Sequence, residues 1–230
     1  MRKTTRLARS LALPILLGLS LSACALGRDA VEVKLPISVA TDSRAFVKIV
    51  AVEDNRVFEE SPSDAGIPSL KDSDDIHNKK ITAQAVARKR NGYGMAMGDI
   101  VLDGTTTVAD LVRAAAQKAL QDKGYAVVNE GAPEYANAAP LSIDIKEFWS
   151  WIAPGFISLT MEFKSTVVLS GDRVITPGNG TAISHVKQET AAGFTSVWVN
   201  LMQQGVSDLS DQIGAHIKPA PASAMSAPST

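Results

Sequence analysis

Residues 107–128, TVADLVRAAAQKALQDKGYAVV, decide the fold. Val108, Leu111, Val112, Ala115, Ala116, Ala119 and Leu120 recur at the spacing of a helix with one apolar face. Thr107 is placed to cap its N-terminus, with Asp110 three residues on in an acidic variant of the capping box. Gly124 stands where a left-handed C-terminal stop is favoured, and Tyr125 to Val128 follow as a short strand. A helix, a tight glycine turn and a strand are therefore written into one short stretch.

Working outward, Leu141, Ile143 and Ile145 alternate with Ser142, Asp144 and Lys146, which predicts a half-buried strand whose pattern continues to Trp149 and Trp151. The chain turns through Ala153, Pro154 and Gly155 and returns through Ile157, Leu159, Met161, Phe163, Val167 and Leu169, an antiparallel hairpin. Gly171 and Asp172 make another turn, and residues 182–187 add a strand. A last amphipathic helix begins near Phe194 or Thr195, with Trp198, Leu201, Met202, Leu209 and Ile213 on one face and Gly205 lowering its propensity.

Toward the N-terminus, Val31, Val33, Leu35, Ile37 and Val39 alternate as a strand with one buried face. Residues 46–52, FVKIVAV, form a more continuous run that predicts a strand covered on both faces. Residues 53–80 are polar, hold Pro62, Gly66, Pro68, Asp72, Asp74 and Asp75, and read as a long loop with a short helical turn. Residues 81–86 suit a short strand, although their alanines leave a helix open. Arg88, Lys89 and Arg90 then precede the glycine-punctuated 91–94, a further strand covers 95–102, and Asp103-Gly104 makes a turn. This order predicts an α+β fold, a single mixed, mostly antiparallel sheet with two main helices packed on one face.

The start of the chain carries an address. Arg2, Lys3, Arg6 and Arg9 precede an apolar stretch from 11 to 21 that is short of the roughly 20 residues a membrane-crossing helix needs. Small residues follow, as signal cleavage requires. Leu21-Ser22-Ala23-Cys24 resembles the bacterial lipobox, which implies that the Cys24 sulfur is acylated and that cleavage makes Cys24 the mature N-terminus. By resemblance to lipoprotein sorting rules, Ala25 in place of Asp points to the outer membrane of a Gram-negative cell, facing the periplasm. Cys24 is the single cysteine, so no disulfide can form within the chain and packing must supply stability.

The expected organisation is a signal peptide over 1–23, a lipidated tether over 24–30, one α+β domain over 31–217 and a disordered tail over 218–230, KPAPASAMSAPST. Removing the four basic residues of the signal leaves 19 basic against 24 acidic side chains, a net charge near −5. A mildly acidic domain argues against nucleic-acid binding, which needs a basic face.

Chemistry-bearing patterns are sparse. His77, His185 and His216 have no second histidine or cysteine at ligand spacing. Asp72, Asp74 and Asp75 lack the glycine and terminal glutamate of a calcium loop. No GxSxG elbow marks a nucleophile, and the glycines at 92, 94 and 98 precede a strand instead of opening a helix that could hold phosphate. No catalytic, metal or cofactor site is therefore expected. Arg88 and Arg90 are read either as solvated or as a docking loop for an acidic partner. Trp149, Trp151 and Phe156 crowd the hairpin tip, where they either cap the core or face a partner or a membrane.

From 104 to 150, the capped helix, its DKGYAVV ending and the strand PLSIDIKEFWS resemble the YajG-type family of uncharacterised bacterial lipoproteins. That resemblance implies an outer-membrane-anchored periplasmic domain of unknown task, with Cys24 alone as a functional residue. The expectation is a non-enzymatic binding or accessory component of the cell envelope. Behind it stand a pore or secretion-channel subunit that uses the 149–163 hairpin in lipid, and a cell-envelope hydrolase.

Overall fold

The computed structural model describes residues 27–37, 43, 45–91, 93–154, 159–178, 180–191 and 193–221. Cys24, Phe156 and the 222–230 part of the expected tail lie outside these residues. Eight strands form one sheet: β1 (Asp29–Val31), β2 (Phe46–Asp54), β3 (Ala85–Arg90), β4 (Ala96–Leu102), β5 (Ala126–Val127), β6 (Ala139–Pro154), β7 (Leu159–Ser170) and β8 (Thr181–Thr190). Among the described residues three α-helices accompany them: a single turn α1 (Lys79–Thr82), α2 (Val108–Asp122) and α3 (Thr195–His216). The β6–β7 and β7–β8 ladders are long and antiparallel, as is β3–β4, whereas β1–β4, β2–β5, β2–β6 and β3–β6 pair in parallel. The predicted α+β class and mixed sheet are what the chain adopts.

The deciding stretch folds as its residues dictate. Thr107 Oγ1 accepts from the Asp110 N–H while Asp110 Oδ2 accepts from the Thr107 N–H, a complete capping box. Gly124 closes α2 at φ 86°, a conformation that a Cβ disfavours. Leu111, Val112, Ala115, Ala116, Ala119 and Leu120 are buried. α2 and α3 pack side by side, and the Ser210 hydroxyl donates to the Ala115 carbonyl across the seam.

α3 crosses the sheet where Gly205 meets Phe163. A Cβ on Gly205 would lie 2.2 Å from Phe163 Cδ1. The Ser184 hydroxyl donates to the Gly205 carbonyl at the same crossing. The glycine that reads as a weak helix former is thus what lets helix and strands approach.

Several boundaries differ from expectation for definable reasons. Of the described part of the 31–39 alternation, Val31 alone pairs as strand, at the end of β1, and Leu35 and Ile37 are exposed. β2 is not covered on both faces, because a bulge between Ile49 and Ala51 turns Val50 out to solvent. Residues 79–82 take a helical turn in place of the strand expected at 81–86. The strand itself starts at Ala85 and carries Arg88, Lys89 and Arg90 inside it. At the far end, Lys218 N donates to the Val174 carbonyl and Ala220 N to the Lys123 carbonyl, so ordered chain continues past 217.

Glycine substitutions in α3 separate these effects. Gly205→Ala will destabilise the domain by about 1–3 kcal/mol through overpacking against Phe163. Gly214→Ala, whose new Cβ would meet its neighbours at ordinary distances of 3.7 and 3.9 Å, will be neutral or stabilising by about 0.5–1 kcal/mol. Urea denaturation of both variants checks the contrast.

Candidate functional site

The second face of the sheet, away from α2 and α3, holds most of the residues singled out in the sequence. A bulge at Lys146 explains how they come there. Opposite β7, Ile145 pairs with Val167 but Glu147 pairs with Thr166, so β6 carries one extra residue. One extra residue reverses which side chains face the helices. Leu141, Ile143 and Ile145 point into the main core, as do Phe148 and Ile152 beyond the bulge, whereas Trp149 and Trp151 point to the other face.

There they meet the 55–78 segment, which is ordered and packed instead of loose. Trp149 is 1 % exposed, in a second small core with Leu70 and Ala85, flanked by Phe58, Ile76, Ile81, Val101 and Trp151. Its indole Nε1 donates to the Ala65 carbonyl, and Phe58 meets its ring edge-on. This corrects the partner-surface reading for Trp149, whose side chain is spent inside the domain. Trp151 is half-buried, beside Gly66 and the His185 ring. Arg90 donates to the Pro62 carbonyl and the Ser69 hydroxyl, so it fastens the same segment. Trp149 and Trp151, read as either core-capping or partner-facing, and Arg90, read as either solvated or docking, all pack against or bond the 55–78 cover.

The apolar side of the β6–β7 hairpin is also occupied. Phe148 and Phe163 stack edge-to-face, and Met161 and Phe163 lie buried under α3. A channel built from this hairpin would have to strip α3 from it. No helix among the described residues is long and apolar enough to cross a membrane.

Arg56 carries the most deeply buried side chain of the ion pairs among the described residues. Its side chain is fully buried and every guanidinium nitrogen is engaged. Nε and Nη2 donate to the two Asp54 carboxylate oxygens at 2.8 and 2.7 Å. Nη2 also donates to the Thr82 carbonyl at 2.6 Å, and Nη1 donates to the Ala85 and Phe148 carbonyls at 2.7 and 3.0 Å. The fork fills the place where β2 leaves the edge of β6, after the Asn55 N–H bonds the Ile145 carbonyl, and before β3 reaches Ser150. A cleft of about 420 Å³ beside it is lined by Asp54, Arg56, Phe58, His77 and Lys79 among others.

A second cluster ties the incoming chain to the cover. Arg28 Nη2 contacts Asp75 Oδ2 at 2.5 Å and Asp99 Oδ2 at 3.5 Å, and Lys89 pairs with Asp29 at 2.8 Å. Burial pushes the Asp99 carboxyl above its ordinary range, although the Lys71 N–H and Arg28 pull it down. Arg88, its register partner on β3, is lowered by burial and by Arg90, against the pull of Asp99. Its Nε and Nη1 have no hydrogen-bond partner. Asp72 caps the 3₁₀ turn at 73–77 and Asp75 pairs with Arg28, so the acidic run near His77 has structural employment. Among the described residues no group of three or more histidine, cysteine or carboxylate side chains is placed to hold a metal.

On the uncovered part of the same face, Glu162 accepts from Lys187 at 2.9 Å and lies 2.8 Å from His185 Nε2. Glu147 accepts from Lys164 and from the Thr166 hydroxyl. Burial raises both carboxyls, but these hydrogen bonds outweigh it and hold each below the ordinary glutamate value.

No family model matches the chain, and none of the curated proteins matches it, so the YajG-type resemblance rests on the quoted motifs alone. Comparison with solved structures gives distant likenesses, each with a TM-score below 0.5. An uncharacterised protein is 9 % identical, with 83 % of this chain and 97 % of that chain covered at a TM-score of 0.41. A protein of the family DUF330 from Xanthomonas campestris is 12 % identical, with 82 % and 93 % covered at 0.39. A minor lipoprotein from Acinetobacter baumannii is 13 % identical, with 48 % and 84 % covered at 0.34. Likenesses of this degree carry no inference about activity.

Two outcomes follow. Arg56→Met leaves three buried carbonyls and one carboxylate without their donor and will cost about 3–5 kcal/mol. Arg56→Lys will recover little of it, because an ammonium has three donors where the fork has five. Equilibrium urea denaturation measures both. Separately, the lowered Glu147 and Glu162 carboxyls add stability above the ordinary value of 4.5 that is lost as the pH falls through their lowered values. The double change to Gln will flatten that acid limb in a thermal-melt series from neutral to pH 3.

Proposed function

We propose that this chain is a non-enzymatic lipoprotein of the bacterial cell envelope, anchored to the outer membrane through acyl groups on Cys24 and serving there as a binding or accessory module. The observation that carries this reading is the order cationic start, short apolar run, Leu21-Ser22-Ala23-Cys24, followed within a few residues by a folded domain. Multiple acyl chains on one terminus hold stably where a single chain would not.

The structural employment of the strongest polar groups supports the non-enzymatic part. The Arg56 fork joins strands, Asp99 receives the Lys71 N–H and Arg28, and Asp72 caps a turn. The partner surface that fits this arrangement is the outside of the second face. There Trp151, His185 and Lys187 are accessible and the 55–78 cover adds its own polar surface. A periplasmic or outer-membrane protein is the expected partner.

Radiolabelled palmitate will enter the wild-type protein, and Cys24→Ser will abolish the label and leave the signal uncleaved. Label retained in the serine variant, or unchanged cleavage, overturns the anchor. Photo-crosslinkers at Trp151 and Lys187 will give one discrete adduct in the native envelope, and a crosslinker at the exposed Leu35, next to the Lys34 backbone that bonds Gln203 of α3, will not.

A further inference from the structure

We infer that the tip of the β3–β4 hairpin, presenting Tyr93 and Met95, is a second membrane contact that seats in the headgroup region of the bilayer holding the Cys24 anchor. The inference rests on the Cys24 reading and adds to it an orientation of the domain. Two independent features converge on it: the path of the incoming chain and the chemistry of the tip.

β1 runs parallel to β4 with Asp29 opposite Ile100, and upstream of it the Gly27 N–H donates to the Met97 carbonyl at 3.3 Å. Followed backward, the chain therefore travels along β4 toward the β3–β4 turn. This path is fixed at successive residues. Gly27 lies so close to Gly98 that a Cβ there would sit 1.7 Å from the Gly27 carbonyl oxygen. Arg28 is held by Asp75 and Asp99, and Asp29 by Lys89. Cys24 is three residues before Gly27, and three residues of extended chain span at most about 11 Å. The hairpin tip lies four residues beyond Met97, about 13 Å at strand rise. The acylated residue and the tip are thus confined to the same end of the sheet.

The tip has the composition of an interfacial element. Tyr93 is 92 % exposed and Met95 is 61 % exposed, the former the most exposed of the large apolar side chains among the described residues. The turn that carries them is built firmly. Asn91 Oδ1 accepts from the Tyr93 and Met95 N–H groups, the Asn91 N–H donates to the Met95 carbonyl, and Gly94 takes φ 81°. A tyrosine with one apolar face and a polar hydroxyl suits the boundary between headgroups and acyl chains. Lys89 is paired with Asp29 and Arg90 is bonded to the cover segment, so apolar insertion rather than attraction to anionic lipid drives the contact.

The test uses the acylated full-length protein in vesicles of phosphatidylcholine with brominated acyl chains. The thioether at Cys24 leaves Tyr93→Cys, Met95→Cys or the control Ile183→Cys as the single free thiol for a bimane label. Ile183 is exposed on β8, the edge opposite β1. Several-fold stronger lipid quenching at 93 and 95 than at 183, unchanged by high salt, is the expected result. Equal quenching at all three positions on protein that carries palmitate overturns this contact and leaves the anchor standing. Absence of palmitate and of vesicle association overturns both.

Discussion

The buried guanidinium of Arg56 is the constraint around which the sheet is arranged. β6 is too long for one neighbour. β2 covers its first part and β3 touches it only near Ser150. Between them the edge of β6 would present an unmatched carbonyl, and the turn at 82–85 would present two more. A buried backbone group left unpaired costs about as much as a lost hydrogen bond. Arg56 answers all three and neutralises its own charge with Asp54, two residues away. One side chain thereby does what an additional strand would otherwise do.

The second consequence of that join is a sheet with two cores. α2 and α3 supply the first, by the amphipathic periodicity expected of them. The second exists because the bulge at Lys146 turns Trp149 away from the helices, and because the chain between β2 and β3 is long enough to fold over it. The cover is polar in composition yet contributes Leu70 and Phe58 at the right places, with Arg90 and the Trp149 indole bonding its backbone. A segment can be mostly hydrophilic and still be fixed when a few apolar side chains and two long donors meet it.

These points define what was legible in the sequence. α2, its caps, the β6–β7 hairpin and α3 are encoded locally, by periodicity and by residues within a few positions of one another. The direction of Trp149 is not, since a single extra residue in one strand inverts the alternation and nothing at Lys146 announces it. Arg56 is likewise silent, because a basic residue after a strand looks solvated until its distant carbonyl partners at 82, 85 and 148 are known. Arg90 reads as part of a surface turn for the same reason. Asp99, Arg28 and Asp75 come together only through the parallel pairing of β1 with β4, a long-range contact without a short-range mark.

The absence of a side chain at position 98 has a mechanical meaning. Because Gly98 lets residue 27 lie directly against the strand, the incoming chain is clasped to β4 from the first described residue onward. Any larger residue at that one position would evict the neighbouring backbone, and the segment ahead of β1 would lose its clasp.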